Sequence, residues 1–332
     1  TLNFELGTVL LSEFDLIARF KKILPQSLFR DWTVSIGDDC AVRRLSRNRY
    51  ELLTQDLLLE DVHFLSGSLR HWEEIGWKSL AVNLSDLAAM GGRPVGAVIG
   101  LALPSAAKTS EAEALYRGLA AAARRYACPV VGGDTNASKG AWMIAISMLG
   151  ETRHRPLLRS AARSGDSLWV SGELGTAALG WRAIQRQDRS ALAAPFRRRH
   201  ALPEPRLAWG EKLAQSGMVG AMIDVSDGLA GDLAHLEKAS KVGFEVELEN
   251  LPRHRDFSKL CSRLDVSEVE MQLAGGEDYE LLFTVQAGLE KKFQKFAAVH
   301  GLKVTCIGNA VKNRGIHWLQ GGRNVKKSFR GF

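Results

Sequence analysis

The sequence predicts a two-domain α/β chain, and three observations carry that expectation. Short apolar strands alternate with apolar or amphipathic helices along most of the chain, the pattern of an α/β fold. The chain has 332 residues, and domains of ~100–200 residues make two the natural number. Composition then shifts over residues 153–165, a basic stretch containing proline. The expected division is 1–152 and 153–332.

In order along the chain, residues 12–24 read as a helix, with Phe14, Ile17, Ala18, Ile23 and Leu24 at helical spacing. A strand over 34–36 leads into Gly37-Asp38-Asp39, and a strand over 50–54 into Gln55-Asp56. A helix over 73–90 stops at Gly91-Gly92, with Pro94 beyond as a stop signal. A strand over 95–103, an alanine-rich helix over 111–126, a strand over 129–131 entering Gly132-Gly133-Asp134, and a strand over 142–149 complete the first unit. In the second unit, a strand over 167–170 precedes a glycine-rich turn and helix at 172–180. A strand over 219–223 ends at Asp224, and Ser226 reads as the N-cap of a helix over 227–240 that lines up Leu229, Leu233 and Leu236. Strands over 244–248, 279–285 and 303–308 follow.

Composition narrows the functional classes. Hydrophobic residues are 45% and charged residues 24%, ordinary globular usage that excludes disordered and collagen-like chains. The net charge of +7 is scattered, which suits a small anionic substrate. The one basic cluster, Arg197 to His200, lacks interleaved aromatics and reads as a solvated helix end, so no nucleic-acid partner is expected. Cys40, Cys128, Cys261 and Cys306 lack metal-ligand spacing and read as reduced thiols of a cytoplasmic protein. No apolar run reaches ~18 residues and no signal-peptide pattern opens the sequence, so no membrane partner is expected.

The chemistry is carried by carboxylates. Asp38, Asp56, Asp134 and Asp224 each follow an apolar strand, and Asp227 lies three residues past Asp224. Any one of these is an ordinary turn or cap residue, but ligands of α/β folds collect at strand ends, and five such placements form a pattern. Asp86 adds a sixth. Its helix, "WKSLAVNLSDLAAM", is apolar over most of its circumference, and Ser79, Asn83 and Asp86 form one narrow stripe with no lysine or arginine on it. A buried aspartate there needs a countercharge. Oxygen-only ligands point to a hard cation, so several Mg²⁺ ions are the expected partners, with nucleoside triphosphate chemistry. Zinc would require His and Cys ligands. No P-loop and no protein-kinase motif set is present. In "GGEDYELLFT" (275–284), the glycines mark a turn into a strand; one acid there is ordinary turn chemistry, but two adjacent carboxylates, Glu277 and Asp278, raise the question of what cation or donor sits opposite.

Five blocks, "IGDDCAV" (36–42), "NLSDLAAMGG" (83–92), "VVGGDTN" (130–136), "DVSDGLAGDLAHL" (224–236) and "GGEDYELLFT", resemble the thiamine-monophosphate kinase family, in that family's order. The family belongs to the aminoimidazole ribonucleotide synthetase-like superfamily, and the likeness spans residues 12–332. It implies a two-domain architecture in which the N-terminal domain forms a barrel-like core with its twin in a homodimer and the C-terminal α/β domain closes over the site. It implies ATP-dependent phosphorylation of thiamine monophosphate to thiamine diphosphate. By resemblance, Asp38, Thr54, Asp56, Asp86, Asp134, Asp224 and Asp227 match magnesium positions, and Gln55 is a further candidate where many relatives carry a hydroxyl residue. Tyr116, Gly133, Asp134, Arg159 and Ser226 match ATP contacts, and His63, Glu277 and Phe329 match substrate contacts. No general base is expected, because the acceptor is already an anionic phosphate oxygen. Two alternatives remain open at this point: a cyclo-ligase-type ATP reaction of the same superfamily, and nucleotide binding without turnover.

Overall fold

The structure is a computed structural model that describes residues 3–6, 9–65 and 71–325. Phe329 lies outside the described residues. The chain opens with a hairpin, β1 (Asn3–Leu6) and β2 (Val9–Ser12), and helix α1 (Glu13–Ile23). Strands β3 (Trp32–Val34), β4 (Ala41–Ser46) and β5 (Arg49–Leu59) are followed by α2 (Trp72–Ala89), β6 (Arg93–Pro104), α3 (Thr109–Tyr126), β7 (Val130–Ser138) and β8 (Met143–Thr152). These six strands form one sheet, ordered β3-β4-β5-β8-β6-β7, with only the β6–β7 pair parallel. The sheet is open.

Beyond residue 152 come β9 (Ser167–Ser171), α4 (Thr176–Gln185), α5 (Ala194–Ala201), α6 (Leu207–Ser216), β10 (Val219–Asp224), α7 (Leu229–Ser240) and β11 (Gly243–Glu247). They are followed by α8 (Phe257–Leu264), α9 (Glu268–Ala274), β12 (Leu281–Val285), α10 (Glu290–Val299), β13 (Val304–Val311), β14 (Ile316–Gln320) and β15 (Arg323–Asn324). Their seven strands make a second sheet, β10-β12-β9-β13-β11-β14-β15.

Helix α2 is the hub. It lies on the inner face of the first sheet, burying Leu80, Leu84 and Leu87 against Ile99 and Ile146. Helix α3 packs on its outside at very close range, because a Cβ on Gly118 would stand 1.9 Å from the Glu73 carbonyl oxygen. Helix α6 and strand β10 of the second unit also rest on α2. Gly210 permits this, since a Cβ there would stand 2.0 Å from the Ala88 carbonyl oxygen. Enclosure on several sides explains why α2 is apolar almost all round. The opposite face of the first sheet is uncovered in the single chain, with Leu53, Leu57, Val98 and Met143 exposed.

Several local expectations change. Asp56 and Asp134 do not follow strands; they sit inside β5 and β7, because pairing continues through Leu57–Leu59 against β8 and through Thr135–Ser138 against β6. The final strand of the glycine block starts at Leu281, since Glu277 (φ 70°) and Tyr279 (φ 49°) adopt left-handed backbone. All of β12 is buried, because it is an inner strand of the sheet covered on both faces. Helix α7 starts at Leu229 after Gly228, and Ser226 does not cap it; Asp232 accepts from the Ser226 and Asp227 amides instead, at 3.1 Å each. The basic cluster is a solvated end only in part: His200 is buried, and Arg199 reaches the buried Glu280.

Candidate functional site

The carboxylates converge where α2 meets the start of β4, the middle of β5 and the end of β10. Carboxylate oxygens of Asp39, Asp86 and Asp224 all lie within 4.8 Å of one another. Helix α2 contributes two successive stripes here. Asn83 Oδ1 accepts from the Asp56 amide (3.1 Å), and its amide donates to the Ser79 carbonyl (3.2 Å). Ser85 donates to Asp224 Oδ2 (2.6 Å), and Thr54 of β5 donates to Asp86 Oδ2. Asp86 and Asp224 are thereby each tied through one carboxylate oxygen.

The electrostatics are those of negative charge concentrated out of water. Burial first, then neighbouring Asp39, lifts the Asp224 carboxyl to about 8. Burial and Asp39 likewise lift Asp38 to about 7 and Asp56 to about 6. Burial with Asp56 and Asp224 pushes Asp86 well above its ordinary range. Among the described residues, the cation that pairs with this cluster is Arg159, which meets Asp39 and whose amide faces Asp38 at 3.3 Å. One arginine does not balance five aspartates.

The donor set therefore fits a divalent cation. Asp39 Oδ2 is buried and has no hydrogen-bond partner, a costly arrangement unless something positive meets it. All the available donors are oxygens, as Mg²⁺ prefers.

Not every predicted residue joins this cluster. Asp39, which sequence reasoning passed over for Asp38, makes the compact trio because successive residues of the bend point in different directions and Asp39 is the buried one. Gln55 faces away: strand alternation puts it on the exposed side of β5, with Oε1 accepting from Ser147 at 2.7 Å. Asp134 is three strands from Asp56, through Ile146, Ile99 and Gly133, or roughly 14 Å at ~4.8 Å per strand. It is exposed and bonds Thr135 and Asn136. Gly133 lies against the Ile99 backbone, where a Cβ would stand 2.1 Å from the carbonyl oxygen, and Tyr116 is exposed on α3. Asp227 stands in a second group with Asp232 and His235.

Of the two acids of the glycine block, Asp278 serves the turn as expected. Asp278 is fully buried and accepts from the Gly175 and Ala177 amides at 2.5 and 3.0 Å, holding the N-terminus of α4. This fills the anion position of that glycine turn with the chain's own carboxylate. Glu277 instead meets Lys78 Nζ (2.5 Å) and His200 Nδ1 (2.9 Å). Burial alone would raise its carboxyl, but these two partners hold it below the ordinary range.

Close by is a cleft of about 290 Å³ lined by His63, Phe64, Lys78, Trp181, Arg198 and His200. His63 Nδ1 accepts from the Leu59 amide (3.1 Å), which leaves the ring proton on Nε2. Sequence reasoning missed Ser85, Lys78 and His200. The available signal was Lys78 and Ser85 seven residues apart on an otherwise apolar helix, a second polar stripe beside the first.

Fold and site define the chain as an AIR synthase related protein. The family model for the N-terminal domain of such proteins matches residues 37–152, and that for the C-terminal domain matches residues 163–318. The thiamine-monophosphate kinase of Bacillus subtilis is 37% identical over 308 residues, covering 90% of this chain and 91% of the relative. That of Aquifex aeolicus is 34% identical over 324 residues, covering 97% and 98%. A solved structure described as "AaThiL complexed with AMPPCP and TMP" superposes with a TM-score of 0.83 at 34% identity, covering 96% of each chain. The chain belongs to the thiamine-monophosphate kinase family.

Proposed function

We propose that this chain transfers the γ-phosphoryl group of ATP to the phosphate of thiamine monophosphate, giving thiamine diphosphate and ADP. The observation that carries the reading is the largely buried, undercompensated trio Asp39, Asp86 and Asp224, in a chain so similar to a relative solved with AMPPCP and TMP. Asp39, Asp86 and Asp224 would hold Mg²⁺, with Asp38, Asp56 and Thr54 beside them and Asp227 at a second position. When bound, Mg²⁺ neutralises phosphate oxygens on donor and acceptor. Thr54 and Ser85 tie the Asp86 and Asp224 carboxylates, and Asn83 holds the Asp56 backbone, before substrate arrives, so little reorganisation is required during transfer. Arg159, held by Asp39, supplies fixed positive charge toward the nucleotide phosphates. The acceptor oxygen is already anionic, so the site needs no general base.

The cleft beside His63 and Glu277 is the substrate pocket in this reading: the Nε2 proton of His63 suits the substrate phosphate, and the Glu277 carboxylate suits the cationic ring or amino group of thiamine. Tyr116, Gly133, Asp134 and Ser226 are nucleotide contacts, and the Gly133–Asp134 segment takes the far end of an extended nucleotide. Gln55 is left without a metal role. The domain boundary falls at 152/153. The uncovered apolar face of the first sheet is the surface for a second copy, giving a homodimer. The free cysteines and the absence, among the described residues, of any helix long and apolar enough to cross a membrane agree with a cytoplasmic enzyme. Incubating the protein with ATP, Mg²⁺ and thiamine monophosphate, and following thiamine diphosphate by thiochrome fluorescence, tests the reading. Diphosphate formed from the monophosphate and not from free thiamine is expected; ADP release without diphosphate would refute it.

A further inference from the structure

We propose that Lys78 is a positioning residue of the substrate pocket: its buried ammonium fixes the His63 turn and the Glu277 carboxylate relative to each other across the junction of the two sheets. This rests on the reading that His63 and Glu277 meet thiamine monophosphate.

Lys78 is 4% exposed in an apolar helix, a position a lysine tolerates only when paired. Its Nζ stands 2.5 Å from Glu277 Oε1 and 3.3 Å from the His63 carbonyl oxygen. The two partners come from segments that belong to different sheets. His63 belongs to the turn after β5, and Glu277 to the turn before β12. The His63 turn is otherwise tied to its own sheet: the His63 amide donates to Leu59 and its ring accepts from Leu59. The Glu277 turn is tied to the other sheet, through its amide to Ser226. Among the described residues, Lys78 bonds both. His200 braces the far oxygen of Glu277 at 2.9 Å and stacks on Trp181, with ring centroids 4.9 Å apart. Because the ammonium is already engaged with Glu277, its part is to aim that carboxylate. A displacement on the order of 1 Å between two halves of a binding site suffices to spoil positioning.

The charges around Glu277 single out Lys78. The groups facing the carboxylate are Lys78 on α2, His200 on α5, His63 on the turn after β5, and Tyr279 on its own segment. Burial holds both histidines toward their neutral forms and the Tyr279 hydroxyl toward its protonated form. Lys78 is the fixed positive charge beside Glu277, and without it burial dominates and favours the protonated acid.

The test is a double-mutant cycle on the full chain, with Lys78→Met, Glu277→Gln and the combined variant, measuring KM for thiamine monophosphate and for ATP across pH 6–9. The combined variant has no unpaired buried charge, so it remains informative if Lys78→Met alone folds poorly. Expected for Lys78→Met is a rise of roughly tenfold or more in KM for thiamine monophosphate, with KM for ATP within about twofold. The ratio of the variant's KM to the parent's at the same pH should grow as pH falls. The combined variant should be no worse than Glu277→Gln alone, since Lys78 acts through Glu277. Additive losses, or equal effects on both KM values, would reduce Lys78 to a structural role and overturn the inference while leaving the pocket assignment intact. An unchanged KM for thiamine monophosphate in Glu277→Gln would remove Glu277 from the pocket and take the inference with it.

Discussion

Replacing Asp224 by asparagine should stabilise the metal-free protein and disable it. Asp224 is 2% exposed and accepts from Ser85 at 2.6 Å, and an asparagine oxygen can accept the same bond. What the substitution removes is charge. With the carboxyl lifted from 3.8 to about 8, the folded protein binds a proton there that the unfolded chain releases above pH 4. At pH 7.5 the gap to the ordinary value amounts to ~5 kcal/mol at ~1.4 kcal/mol per pH unit. Asp39 and Asp56 contribute to that lift, and their own protonation relieves part of it, so a single neutral substitution should recover about 2 kcal/mol. For a chain of this length, unfolding cooperatively, that is a gain of ~3 °C in melting temperature without Mg²⁺.

The same substitution takes one anionic oxygen from the trio proposed to hold Mg²⁺. The Mg²⁺-induced rise in melting temperature should shrink, and kcat should fall by ~10²–10³ or more, as when a fixed group that stabilises transition-state charge is removed. Differential scanning fluorimetry at pH 7.5, with chelator and with Mg²⁺, gives the stability arm; diphosphate formation at saturating ATP gives the catalytic arm. Two results would each refute the reasoning: a variant that melts several degrees below the parent in chelator, or one that keeps parental kcat. The first would mean that Asp224 is a stabilising structural acid, and the second that its charge is not used.

Because the Asp38, Asp56 and Asp224 carboxyls sit at about 7, 6 and 8, the folded state binds more protons than the unfolded one above pH 4; chelated protein should therefore lose stability as pH rises from 5 to 8, and Mg²⁺ should restore more at pH 8 than at pH 6. A melting-temperature profile that rises over that interval in chelator would contradict this. Asp278→Ala leaves the Gly175 and Ala177 amides buried without their acceptor and should cost about 2–4 kcal/mol in urea unfolding; a loss below about 0.5 kcal/mol would show that water replaces the carboxylate. Gly118→Ala forces a Cβ against the Glu73 backbone and should cost at least about 2 kcal/mol. Val98→Arg with Leu57→Arg, on the uncovered sheet face, should convert a dimer to monomer in analytical ultracentrifugation; a parent already monomeric at micromolar concentration would refute that surface as the interface.

What the sequence made legible divides along a physical line. Local rules reach as far as one helix or one turn. The narrow stripe Ser79, Asn83 and Asp86 follows from spacing and side-chain length, and a turn role for one of the two acids after Gly275-Gly276 follows from their place, whereas a ligand role for Glu277 comes from the family resemblance; the structure has Asp86 in the carboxylate cluster and Asp278 on the α4 amides. Strand ends were less legible. The reading that every acid follows a strand misplaced Asp56 and Asp134, because a polar residue inside a strand looks like its end until the partner strand is known. Alternation along β5 then decides what spacing could not: Thr54 and Asp56 face the site, and Gln55 between them does not.

Pairing between distant segments was not legible at all. Arg159 meets Asp39 across 120 residues, Ser85 meets Asp224 across 139, and Lys78 meets a carboxylate in the other half of the chain. No periodicity encodes such contacts. They share a cause that can be read backwards, however: each involves a polar or charged side chain on or beside an element too apolar to be solvated. Lys78 on α2 is the clearest instance, since a lysine on a helix enclosed by a sheet, a second helix and another unit has little water to reach. It must find an anion, and the anion must come from whatever closes over the helix. The five acids obey the same rule with the sign reversed, and Arg159 alone is too little. The protein thus stores uncompensated negative charge in one place and compensates it fully, Lys78 against Glu277, in the pocket beside it. That contrast separates the part of the site built to receive a cation from the part built to hold its own shape.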